Sequence, residues 1–377
     1  MSAAATAIPR SRAPKLGLIL VVIAVIGGLA ALDMFLEGAE QAELADQAQR
    51  AYVRGSRLAQ AGKAAEAIDA LRRAHALERK NLIYELQLIT VLTAAGKTSE
   101  AEPLMNEVLD AGRNDGAANL VAARLRLKEG KLVDSEAYYH RAIYGQWPQD
   151  AAAHRMAARL ELIDLLVAKN QKEDLLAELL PLEEEARNNP TIQLRLARLF
   201  LIAGSPSRAA DVYRALVREQ PENAQAHEGL GEAELELGDY GAAHAAFKAA
   251  FAQTPNDSNL RSKLQLASTL ASLDPTPRWL PSAEKYQRSL RILEWAQQDL
   301  EKCIQRQPSG ASGEQQNLLE RAEDAMDYAK PAQMTNESSE GGLSLAEKIW
   351  QARLSACGPA TAPDEEALRL IMAKLVQ

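Results

Sequence analysis

Chemistry in a folded chain needs reactive side chains at set spacings, and this sequence supplies few of them. Five histidines, His75, His140, His154, His227 and His244, are scattered through 377 residues with no metal-ligand spacing among them. No HExxH, CxxC, GxSxG, phosphate-loop or dinucleotide-binding pattern occurs. The run Glu183-Glu184-Glu185 has the form of a charged helix surface rather than of a paired acid and base. No catalytic residue, cofactor or metal site is therefore expected, and the chain is read as a non-enzyme. Cys303 and Cys357 are the two cysteines. Outside the cytoplasm they are free to pair, which would close a loop of about 55 residues and contribute about 3–4 kcal/mol on the chain-entropy argument. The other reading is two buried free thiols.

The elements that hold these residues are helical. Aromatic content is 5%, alanine and leucine dominate, and alternating strand-like runs are absent. A net charge of −8 without a basic stripe points away from nucleic acid as a partner. Near the N-terminus, Leu16 to Leu32 carry no charge, and Met34, Phe35 and Leu36 extend the run past Asp33. The uncharged part would rise about 25 Å as a helix, close to the thickness of a bilayer core. Arg10, Arg12 and Lys15 precede it, and Glu37, Glu40, Glu43 and Asp46 follow. This polarity places residues 1–15 in the cytoplasm, residues 16–36 across the inner membrane as a single span, and the rest in the periplasm or its equivalent. A signal peptide with its small-residue site at Gly28-Leu29-Ala30 is the competing reading, and it exports the same part of the chain.

A ruler of helix-ending residues follows. Gly62, Gly96, Gly130, Asn170, Gly204 and Gly238 are separated by 34, 34, 40, 34 and 34 residues. Glycine and asparagine are the residues that tolerate the left-handed conformation at a helix C-terminus. The most regular unit, from Ala224, places Leu230-Gly231, Gly238, Ala243, Phe247, Ala250 and Pro255 at offsets that build two closely packed helices. The unit from Pro190 repeats this with Leu196-Ala197, Phe200, Ala209, Tyr213 and Pro221, and the unit from Ala48 with Gly55, Leu58, Ala67, Leu71 and Ala74. A 34-residue period with this punctuation resembles the tetratricopeptide repeat family. The expected fold is all-α: an N-terminal transmembrane helix, then a tetratricopeptide-repeat α-solenoid of six repeats over residues 48–257. A degenerate repeat and capping helix would occupy 258–306, and linkers with C-terminal helices 307–377. The six residues in excess between Gly130 and Asn170 are assigned to a longer loop near Tyr144–Asp150 or to an extended helix beginning near Ala151.

The resemblance implies a concave groove lined by the first helices of the repeats. Transferred by register, its residues are Tyr52, Leu86, Leu120, Arg124, Leu127, Leu160, Asp164, Val167, Leu194, Arg198 and Leu201. The Lys-Asn-Arg clamp with which some family members hold a terminal carboxylate is missing, since the matching slots hold Tyr52, Ser56, Gln87, Thr90, Ala117 and Val121. An apolar extended or helical segment of another protein is the expected ligand, unless these leucines serve only to pack neighbouring helices. The function implied is a membrane-tethered protein–protein interaction scaffold that recruits or holds client polypeptides in envelope assembly or secretion. The alternatives are a structural subunit of a membrane complex and an accessory to an envelope biosynthesis or export enzyme.

Overall fold

Strong helix formers punctuated at a fixed period fold into successive helix pairs. The computed structural model describes residues 13–112, 114–187, 189–307, 310–327, 335–359 and 365–375. Among these residues there are 17 α-helices, and the only strand-like feature is an isolated bridge between Asp115 and Gln146. Arg10 and Arg12, and parts of the linkers expected within 307–377, lie outside the described residues. The chain divides after Leu165 into two units.

The first unit opens with α1 (Ala13–Gln60), one unbroken helix of 48 residues. The apolar segment and the first helix of the first repeat are thus a single element. Residues 37–47 explain the continuity: they are almost all alanine, glutamate, glutamine, leucine and aspartate, with Gly38 and no proline. There follow α2 (Ala64–Leu77), α3 (Leu82–Ala94), α4 (Thr98–Ala111), α5 (Gly116–Lys128), α6 (Leu132–Tyr144) and α7 (Ala151–Ala168), whose end crosses into the second unit. Each stop on the ruler is left-handed: Gly62, Gly96 and Gly130 have φ of 75°. The residue after each closes the turn, as where the Lys63 amide donates to the Leu58 carbonyl at 2.9 Å. Gly55 lets α1 lie against α2, since a Cβ there would come within 2.7 Å of the Leu71 side chain. The apolar faces meet in a core that includes Leu71, Leu88, Ile89, Leu92, Met105 and Leu125.

The residues in excess are resolved mainly as helix. α7 has 18 residues where α3 and α5 have 13. The loop before it is pinned to the start of α5: the Gly116 amide donates to the Gln146 carbonyl, and the Gln146 amide to the Asn114 carbonyl, both at 2.9 Å. Trp147 donates its indole N–H to the Ala142 carbonyl at 2.8 Å and stacks on His154 with ring centroids 4.6 Å apart. The insertion thus binds its own unit.

The second unit continues with α8 (Lys172–Glu185), α9 (Pro190–Ile202), α10 (Pro206–Glu219), α11 (Ala224–Glu236) and α12 (Tyr240–Gln253), then α13 (Ser258–Leu273), α14 (Ser282–Gln305), α15 (Gly313–Asp327), α16 (Asn336–Cys357) and α17 (Glu366–Leu375). Asn170, Gly204 and Gly238 hold φ of 54°, 73° and 73°. The long α14 packs its apolar stripe, with Leu293 and Leu300 fully buried, against α16, so the chain's own helices cover it. Cys303 of α14 and Cys357 of α16 are joined as a disulfide, their Cα atoms 6.1 Å apart. Beside it the buried Arg353 guanidinium donates to Asp299 at 2.7 Å and to Glu365 at 3.0 Å. α17 docks back on the repeats: Lys374 pairs with Asp274 at 2.6 Å and donates to the Gly238 carbonyl at 2.7 Å. Tyr240 completes the contact, donating to the Leu370 carbonyl at 3.1 Å.

Candidate functional site

In the first unit the groove residues divide by what already occupies them. Tyr52 stacks on Tyr84 with ring centroids 4.9 Å apart. Leu86 and Leu120 are buried, so they pack neighbouring helices rather than offer a surface. Leu160 is half-buried, while Leu127, Arg124 and Asp164 are exposed. The Arg124 guanidinium forms a two-armed pair with Glu161, at 2.9 Å from Nε and 2.5 Å from its terminal nitrogen. That hydrogen bonding holds the Arg124 pKa above its ordinary value. Tyr139 donates to the same carboxylate at 3.1 Å, and burial with the nearby Glu161 charge raises its pKa. Glu161 therefore ties α5, α6 and α7 together, a role the repeat register alone did not mark.

In the second unit Val167, Leu194 and Leu201 are half-buried and Arg198 is exposed. Leu194 and Arg198 line a cleft of about 470 Å³, together with Thr191 and Arg195 of α9, Tyr213 of α10, Gln225, Glu228, Gly229 and Glu232 of α11, and Lys263 of α13. Gly229 makes room for the Tyr213 ring, because a Cβ there would come within 2.2 Å of it. Lys263 donates to Glu228 at 2.7 Å and also pairs with Glu232. Burial alone would lower the Lys263 pKa, but the two hydrogen bonds outweigh it and the net shift is upward. Burial and the Glu232 charge push the Tyr213 hydroxyl up to about 12, so it stays a neutral donor. Arg198 forms no ion pair among the described residues. The cleft therefore combines an open cation, a neutral phenol and the apolar edge of Leu194, a lining suited to a polypeptide with an acidic group beside an apolar one. The repeat pattern marks Tyr213 only as a packing residue and Lys263 not at all, because both lie outside the first helices of the two repeats they join. Among the described residues no group of three or more His, Cys, Asp or Glu is placed to hold a metal ion.

Residues 86–151 and 194–258 match the family model for the tetratricopeptide repeat. No curated protein matches the chain. Among solved structures, YrrB, described as a TPR protein with an unusual peptide-binding site, is similar at 15% identity and a TM-score of 0.42, covering 53% of this chain and 99% of its own. PilW, described as a widely conserved type IV pilus biogenesis factor, is similar at 16% identity and a TM-score of 0.40, covering 58% and 98%. A tetratricopeptide repeat protein from Parabacteroides merdae is similar at 17% identity and a TM-score of 0.28, covering 59% and 99%. The family match falls on helix pairs that close with left-handed stops and pack a small residue of one helix under a large one of the next. Residues 86–151 and 194–258 thus carry tetratricopeptide repeats, by their match to the family model and by this packing.

Proposed function

We propose that this protein–protein interaction scaffold is a single-pass inner-membrane protein. Its N-terminus lies in the cytoplasm and its repeats lie outside it, where they recruit or hold client polypeptides in envelope assembly or secretion. The observation that carries the reading is α1, in which an exposed apolar stretch runs without a break into the first repeat. Phe35 is 72% exposed and Met34 73%, and Val21, Ile23, Ile26 and Leu29 are likewise uncovered, so none of the described residues shields them from water. The Cys303–Cys357 pair adds support, because lasting disulfides belong to oxidising compartments. In this reading the second-unit cleft is the client contact, through Leu194, Arg198 and Tyr213, with Leu201 beside it.

A photoreactive residue at position 194, introduced in growing cells, tests the client role. Client adducts that fade in the Arg198→Ala background, at unchanged thermal stability, are expected. Absence of adducts above background would sink the client-binding reading. A stoichiometric structural subunit is the second reading, favoured by the first unit, where Leu86 and Leu120 are buried and Arg124 is already paired. One adduct in fixed proportion to the protein supports it; several transient adducts support the client role.

A further inference from the structure

The membrane-proximal end of the array carries a second surface, on the face of α1 turned away from the other repeats. Arg50, Arg54 and Arg57 follow one another at helical spacings of four and three residues, which sets them on one ridge. Tyr52, Ser56 and Ala59 lie about half a turn away, where Tyr52 meets Tyr84 of the next pair. The ridge thus lies on the side of α1 opposite its contact with Tyr84. It borders a groove of about 630 Å³ that also includes half-buried Val53 and Leu58 and the exposed Lys63. Arg50 pairs with Asp46 in its own helix, and Lys63 with Glu66 at 3.6 Å. Arg54 and Arg57 form no ion pair among the described residues.

We infer that this ridge docks an acidic amphipathic helix of a different protein in the same membrane. The inference rests on the tethered reading above. A helix rises 1.5 Å per residue, so Arg50 to Arg57 stand about 20–30 Å beyond Leu36. That distance exceeds the screening length of about 8 Å, which takes anionic lipid headgroups out of reach. A second copy fits poorly for a reason of sign. Two copies anchored in one membrane run parallel, so Glu43 and Asp46 would face Glu43 and Asp46, and the arginines would face arginines. A helix presenting carboxylates at matching spacing meets the ridge with opposite charge, and Val53 and Leu58 accept its apolar edge.

The test uses the full chain in nanodiscs of zwitterionic lipid and a synthetic amphipathic helical peptide with Glu at three positions spaced four and three apart. Counterpart peptides carry Gln or Lys there. The Glu peptide should bind, weaken steeply as salt rises, and lose about tenfold or more in affinity to the Arg54→Glu/Arg57→Glu variant. The Lys peptide should bind that variant instead. Equal binding of Glu and Gln peptides, or binding indifferent to the charge reversal, overturns the inference. A photoreactive residue at position 53 in cells supplies the second arm. An adduct to a different protein whose linked segment is an acidic helix supports it, and an adduct to lipid or to a second copy overturns it. If alkaline extraction released the chain, the tethered reading would fail while the peptide measurement still reported on the ridge.

Discussion

At the scale of single residues, the repeat frame depends on places where a side chain is missing. A Cβ on Gly231 would come within 2.6 Å of the Phe247 ring, so Gly231→Ala should cost about 1–3 kcal/mol in denaturant unfolding, and Phe247→Leu should restore part of it. Glu85 gives a pH-dependent case. It is buried, one carboxylate oxygen has no hydrogen-bond partner, and burial followed by the Glu107 charge raises its pKa. The folded state thus binds this proton more tightly than the unfolded chain does. Its contribution is most favourable below the ordinary carboxylate pKa and is lost as pH rises through the raised folded value. Glu85→Gln should therefore raise Tm by about 2–4 °C at neutral pH, with the gain shrinking toward about pH 4. An unchanged or lowered Tm at neutral pH would contradict this. The left-handed glycines were legible in the sequence because only one residue type suits that conformation well. A second ruler went unread: Asn81, Asp115, Asn189, Asn223 and Asp257 each cap a first helix by accepting a backbone N–H. Glu161 and Lys263 were not legible, because a charge pairs across helices only once the helices are placed.

At the scale of elements, two outcomes separate the structure from the pattern. The six residues in excess went largely into α7, and the aromatic loop ahead of it packs on α5, so the irregular repeat is braced rather than open. The apolar segment and first repeat share one helix, although the sequence pattern marks them as different environments. Hydropathy changes at Leu36, but helix propensity does not, and backbone hydrogen bonding follows propensity. In nanodiscs, amide exchange across residues 37–47 should be protected as in a continuous helix; rapid exchange there would show a hinge. The C-terminal helices follow the same logic of covering. α14 and α16 are tied by Cys303–Cys357, and α17 is held by Lys374 and Tyr240. Cys303→Ser should lower the stability of this end by up to about 3–4 kcal/mol by removing the constraint on the unfolded chain. Loss of the change under reducing conditions, where the parent protein falls to the same stability, checks that the bond is the cause.

At the scale of the whole molecule, fold and partner differ in how they are encoded. The fold is written many times over, once per repeat, so the irregular unit with six extra residues between Gly130 and Asn170 is registered by strong ones such as that from Ala224. A partner surface is written once, in side chains whose neighbours differ from repeat to repeat, and Leu86 and Leu194 show how one register position is filled in one unit and half-open in the other. The central claim is that the repeats are carried on a membrane-spanning helix. Alkaline carbonate extraction of membranes from cells producing the full chain with a C-terminal tag tests it most directly. The account predicts that the tagged chain stays in the membrane pellet at its full-length mass. Recovery in the soluble fraction, at full length or shortened by the N-terminal segment, would contradict it.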